Sequence, residues 1–329
     1  MAPFEPGYLS LFHSGELLKR VKALETRLAD CDLCPHNCRV DRLQGEVGFC
    51  RSGSVPLVAS ICAHHGEEPP ISGTKGSGTV FFGNCNMRCV YCQNCQISQN
   101  PDAMRTKEMT TSELAKQLVY LQDELRCHNI NFVSPSHFVP QMSRAVYEAV
   151  PLGLKIPLVY NTGGYDSLSA LKLLDGIIDI YLPDIRYADN AVALRYSGVK
   201  NYVPVVRTAI KEMYRQVGNL KVDAREIARK GLIVRHLILP HNLAGSEASL
   251  KWLANEISPD VFVSIMAQYY PAHQANKYPE LNRRVTAEEY EKVTRIMENL
   301  GIENGWLQEL DASENYQPDF EREGHPFQP

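Results

Sequence analysis

Six short apolar runs alternate along the chain with amphipathic segments, and this alternation constrains the fold more than any other feature. The runs are Thr79–Phe82, Ile130–Val133, Leu158–Tyr160, Ile177–Leu182, Leu232–Leu239 and Val261–Met266. After the first comes a helix opened by a capping box, Thr110-x-x-Glu113, with Leu114, Leu118, Leu121 and Leu125 on one face. Further helices are predicted at Pro140–Val150, Ser167–Leu174, Pro204–Val217, Ser246–Ile257 and Thr286–Leu300, the last with a second box, Thr286-x-x-Glu289. Strands alternating with helices argue for parallel βαβ units with the helices outside. Six repeats fit a (β/α)6 partial barrel, and the pattern alone does not exclude a doubly wound open sheet. At 329 residues the chain is long enough for one barrel-sized domain or two smaller ones.

The chemistry points to Phe81–Gln99, FFGNCNMRCVYCQNCQISQ, where Cys85, Cys89 and Cys92 form C-x3-C-x2-C directly after the first run. Three thiolates on one tight loop can hold three corners of a cubane iron–sulfur cluster and leave the fourth iron open for a substrate. A zinc loop is the alternative. Upstream, Cys31, Cys34, Cys38 and Cys50 form C-x2-C-x3-C-x11-C, with Gly45 and Gly48 supplying the turns that return Cys50 to the others. Four soft ligands in twenty residues suit a closed zinc site or a second iron–sulfur cluster. Cys62, His64 and His65 make a weaker ligand group, read as a loop near the cluster.

The C-x3-C-x2-C spacing, with Tyr91 just before the third Cys, resembles the signature of the radical S-adenosylmethionine (SAM) enzymes. Within them the chain resembles the pyruvate formate-lyase activating-enzyme-related (PflX-like) proteins, and the resemblance extends to the N-terminal Cys set and to Glu67-Glu68-Pro69-Pro70. It implies an α/β fold, the radical SAM partial TIM barrel (β/α)6, here with an N-terminal Cys-rich extension. The expected division is 1–75 for the N-terminal helix and Cys-rich segment, 76–275 for the core, and 276–329 for a C-terminal helix and tail on the core. It also implies a [4Fe-4S] cluster and SAM as cofactors, and an electron donor such as flavodoxin or ferredoxin. In such enzymes the reduced cluster passes one electron to SAM, and a 5′-deoxyadenosyl radical abstracts hydrogen from the substrate.

In such folds the working residues sit at the C-terminal ends of the strands. Here those ends read Gly83-Asn84-Cys85, Ser134-Pro135-Ser136-His137, Asn161-Thr162-Gly163-Gly164, Pro183-Asp184-Ile185-Arg186 and Ala267-Gln268-Tyr269. Tyr91, Ser134, Ser136, Asn161, Thr162, Arg235 and Gln268 are the expected SAM contacts, and His137, Asp184 and Arg186 the expected catalytic groups. Arg235 lies inside an apolar run and must reach either the barrel lumen or a structural partner, Asp179 or Asp184. By resemblance, Asp184-Ile185-Arg186 matches an Asp-x-Lys motif with Arg in place of Lys, and Asn161-Thr162-Gly163 a reordered Thr-Asn-Gly loop. Activating enzymes end strand two in Gly-Gly-Glu. Ser134-Pro135-Ser136-His137 stands in that place, so its hydroxyls and carbonyls are expected to receive the SAM amino group. His137 is expected to accept from SAM or to face the substrate; the alternative is a bond to the adjoining loop.

Lys+Arg 34 against Asp+Glu 38 gives net −4, so no basic field argues for nucleic acid. No signal peptide or membrane-length apolar run is evident. Nine of the ten cysteines fall between Cys31 and Cys95 in short-spaced sets, which reads as metal binding in a reducing cytoplasm. Three functions follow as expectations. One is an activating enzyme acting on a glycine of a partner protein. The second is a radical enzyme acting on a small metabolite or another macromolecule. The third is a non-catalytic iron–sulfur or zinc protein that transfers electrons or scaffolds.

Overall fold

All six apolar runs become strands, and their order separates the two topologies left open above. The computed structural model describes residues 4–99, 107–310, 318–322 and 325–327. In chain order, α1 (Gly7–His13) and α2 (Glu16–Glu25) precede β1 (Leu57–His64), α3 (Pro69–Ser72), β2 (Ser77–Phe82), α4 (Cys95–Ser98) and β3 (Lys107–Glu108). Then come α5 (Thr111–Asp123), β4 (Ile130–Val133), α6 (Val139–Ala149), β5 (Leu158–Thr162), α7 (Leu168–Leu173) and β6 (Ile180–Pro183). The chain continues with α8 (Asn190–Ser197), α9 (Tyr202–Val217), β7 (Lys221–Val222) and β8 (Ala228–Leu237). It ends with α10 (Ser246–Glu256), β9 (Phe262–Met266), α11 (Ala287–Asn299) and β10 (Gly305–Leu307).

The parallel strands lie in the order β2-β4-β5-β6-β8-β9-β10, with no reversal. A doubly wound sheet requires a point where strand order reverses. Here every crossover leads to the next neighbour, and right-handed crossovers of that kind place all the helices on one face. The other face curls inward, giving a (β/α)6 partial barrel. Antiparallel β1 and β3 extend it beyond β2, and β10 extends it beyond β9.

Strand alternation sorts the side chains. Phe82, Phe132, Tyr160, Tyr181, Leu232, Val234 and Val263 pack beneath the helices in the main core. On the inward face, Val159, Ile180, Leu182 and Ile233 meet Ile71 of α3 in a small apolar plug. The chain bearing Glu67-Glu68-Pro69-Pro70 therefore closes the barrel floor, which accounts for a motif whose role the sequence left open. Cys62 and His64, read as part of a loop, lie instead on β1, and α3 follows in the same stretch of the barrel.

The single N-terminal helix expected within 1–75 divides into α1 and α2 because Gly15 between them adopts a left-handed conformation, φ 75°. Both capping boxes form as read. α8 was not anticipated; its start is fixed by Asp189, which accepts from the Ala191 and Val192 amides. On the outer surface, Arg144 of α6 makes a bidentate pair with Glu25 of α2 at 2.7 and 2.6 Å. Asp179 accepts the Gly7 and Leu158 amides at 3.1 and 3.0 Å, tying the N-terminal helices to the sheet.

Candidate active site

Register brings two sets of residues to the lumen, offset by two positions. Phe81 pairs with Val133 and Val133 with Asn161, whose own partner is Leu182; two residues further along, just past β6, Asp184 pairs with Arg235, Arg235 with Ser264, and Ser264 with Trp306. All but Leu182 line one cavity of about 420 Å³ at the C-terminal ends of the strands. Its floor is acidic. Glu67 accepts from His64 Nδ1 at 3.3 Å and Asn131 Nδ2 at 3.0 Å, and lies 3.7 Å from Arg235. Burial works to raise the Glu67 carboxyl, but the His64 hydrogen bond and charge, with Arg235, hold it below the usual carboxylate range. Burial raises its neighbour Glu68 instead, and Glu68 Oε2 has no hydrogen-bond partner among the described residues.

Above this floor Asp184 is shared by two guanidiniums. Arg235 Nε donates to Asp184 Oδ1 at 2.8 Å, and Arg186 Nη2 donates to Oδ2. Burial opposes the charge on Asp184, yet the two arginines keep its carboxyl below the usual range. Arg235 also donates to Asn161 Oδ1 at 2.6 Å. The two readings of Arg235 thus merge: it reaches the lumen and is ion-paired, with Asp184 and not Asp179.

The cysteine loop meets this trio from one side. Arg186 Nη1 lies 3.5 Å from Cys89 Sγ, and the Ser197 hydroxyl donates to the same sulfur at 3.0 Å. Cys85 Sγ accepts the Met87 amide at 3.4 Å and is bonded by Ser134, while Cys92 Sγ lies 3.2 Å from Ser98 Oγ. Burial pushes the Cys85 thiol up to about 11 and the Cys92 thiol up to about 12. An iron cluster would offset that cost by binding the thiolates. Among the described residues no three His, Cys, Asp or Glu side chains close on single-ion geometry. The three sulfurs, each with a hydrogen-bonding neighbour and a cavity beside Cys92, fit a multi-iron cluster better than one zinc ion.

The expected residues fall into two groups. Tyr91, Asn161, Asp184, Arg186, Arg235 and Gln268 line the cavity, with Tyr91 bonded to Tyr187 and Gln268 to Gln308. Ser134, Ser136, Thr162 and His137 do not. Thr162 follows Asn161 and so faces the helices, where it bonds Asp166 and Ser136. Ser134 turns left-handed, φ 54°, towards Cys85.

The expectation for His137 is corrected. It is buried at 1% exposure beneath the loop, with Nε2 donating to the Gly83 carbonyl at 2.9 Å. Burial pulls its pKa down to about 3, so the ring is neutral. The alternative role, a bond to an adjoining loop, is the one realised. Sequence reasoning missed Ser264, Met266, Trp306, Gln308 and Phe327, which also line the cavity. Ser264 and Met266 could have been found from their period-2 relation in one strand; the others lie in no predicted element.

No known protein-family model matches the chain. An uncharacterized protein of Methanocaldococcus jannaschii, MJ0674, is 29% identical over 288 residues, covering 86% of this chain and 79% of that one. Among solved structures, a radical SAM methyltransferase from Sphaerobacter thermophilus aligns with TM-score 0.45 and 14% identity, over 71% of this chain and 68% of its own. SuiB of Streptococcus suis, bound to precursor peptide SuiA, aligns with TM-score 0.49 and 10% identity, over 82% and 55%. Among the described residues, no helix is long and apolar enough to cross a membrane.

Proposed function

We propose that the protein is a radical SAM enzyme of the activating-enzyme-related kind. The observation that carries this reading is the Cys85-Cys89-Cys92 loop at the end of β2, joined through Arg186 to the Asp184–Arg235 pair in one cavity. The three thiolates would hold a [4Fe-4S] cluster, which when bound supplies the electron that splits SAM into methionine and a 5′-deoxyadenosyl radical.

The chain's own residues bind and orient. Arg235 and Arg186 present positive charge to the amino-acid carboxylate of SAM, and their shared Asp184 fixes both guanidinium planes. Glu67, anionic on the floor, favours positive charge above it. Tyr91 and Gln268 wall the cavity on the loop side and exclude water from the radical.

The test is anaerobic reconstitution followed by dithionite reduction with SAM. Release of 5′-deoxyadenosine and methionine, lost in Cys89→Ala, supports the reading. S-adenosylhomocysteine alone would replace it with methyl transfer. A reduced cluster that leaves SAM intact would replace it with an electron-transfer protein.

A further inference from the structure

Among the described residues, Cys89 is the loop cysteine whose sulfur meets a charged donor. Arg186 divides its guanidinium between two acceptors: Nη2 donates to Asp184, and Nη1 lies 3.5 Å from Cys89 Sγ. The Tyr202 hydroxyl fixes the backbone there by accepting the Arg186 amide at 2.9 Å. Asp184 is also engaged by Arg235 at 2.8 Å. Its one negative charge is therefore divided between two cations, and Arg186 keeps positive charge towards the sulfur. That charge acts on Cys85 and Cys92 as well, against the effect of burial.

The same sulfur accepts from the Ser197 hydroxyl at 3.0 Å. Behind Ser197 stands the Tyr187 hydroxyl at 2.7 Å, and Tyr91, which lines the cavity, bonds Tyr187 in turn. With Ser197 donating to sulfur, Tyr187 donates to Ser197 and Tyr91 to Tyr187, so three hydroxyls polarise in one direction. Backbone bonds hold this register. The amides on either side of Cys89, those of Arg88 and Val90, donate to the Ser197 and Tyr196 carbonyls at 2.9 and 2.8 Å. The Cys-rich segment docks on the same loop, with His36 Nε2 at 2.9 Å from the Asn86 carbonyl and Arg88 donating to the Phe49 carbonyl at 2.6 Å. Its Cys31, Cys34, Cys38 and Cys50 line a small void with Arg42 and His137.

A [4Fe-4S] cluster on three thiolates carries one net negative charge when oxidised and two after it takes up one electron, with no bond made or broken. A cation and directed hydrogen bonds at a ligand sulfur stabilise the second state more than the first. We propose that Arg186 and Ser197, both donating to Cys89 Sγ, raise the reduction potential of the loop cluster. The inference rests on the cluster in the proposed function and not on the fate of SAM.

The experiment is a redox titration of the anaerobically reconstituted full chain without SAM, poised with dithionite and mediator dyes. It is read by electron paramagnetic resonance on the signal that Cys89→Ala lacks. At unchanged iron content, Arg186→Gln should lower the equilibrium constant for reduction roughly tenfold, which is about 59 mV for one electron. Ser197→Ala should lower it by a smaller factor. Arg186→Lys keeps the charge without the planar fork and should fall between Arg186→Gln and the wild type. Extra solvent at the sulfur would move the potential upward, so the sign separates lost donors from a loosened loop. Should Arg186→Gln lose the cluster, Ser197→Ala and Arg186→Lys decide. Midpoints equal to or above the wild type would overturn the proposal and leave the proposed function untouched. Lowered midpoints in a protein that does not cleave SAM would do the reverse, and a wild type that binds no reducible cluster removes both.

Discussion

Asp184 balances two half-buried guanidiniums at once, and that single carboxylate organises the residue-scale behaviour of the cavity. Asp184→Asn removes the charge that Arg186 and Arg235 share, leaving Arg235 only Glu67 at 3.7 Å, and should lower unfolding free energy by about 1.5–3 kcal/mol, measured by chemical denaturation. Adding Arg235→Met to Asp184→Asn should recover part of the loss, a non-additivity that a double-mutant cycle would show. At the loop, Cys85→Ala, Cys89→Ala and Cys92→Ala should each abolish the loop cluster, whereas Cys95→Ala on α4 should retain it by iron content. The sequence allowed Arg235 to be singled out because a charge inside an apolar run has few places to go. His137 was misplaced for a physical reason. It ends a 3-10 turn that follows a left-handed Ser134, and neither period 2 nor period 3.6 predicts facing through such a turn.

At the scale of elements, legibility follows periodicity. The six inner strands and the capped helices were readable because burial on both faces leaves unbroken apolar runs and boxes mark helix starts. β1 was not, since its mixed burial resembles a loop, and three-residue β10 is too short to show any period. β10 nevertheless delivers Trp306 to the cavity. It docks through Gly305, φ 141°, where an added Cβ would run into the Val263 carbonyl oxygen. Gly305→Ala should therefore detach β10, at a cost of about 1–3 kcal/mol, and expose Trp306 to a fluorescence quencher. Thr110→Ala removes a full capping box and should cost about 1 kcal/mol without altering the cavity.

For the molecule as a whole, Asp179 joins the N-terminal helices to the sheet, and burial pushes its pKa up to about 7. The unfolded chain would release that proton near pH 4, so between about pH 4 and 7 the folded state binds more protons. Stability from this group is therefore full below pH 4 and declines through that window, by a few kcal/mol. In Asp179→Asn the slope of denaturation midpoint against pH should flatten there. The docking of the Cys-rich segment on the cluster loop also bears on synthesis. Cys31 to Cys50 are synthesised before His137, so the void they line with it cannot close until the chain has passed β4. Through that interval the four thiols stay uncovered, so their reactivity during synthesis is set by timing and not by the folded structure.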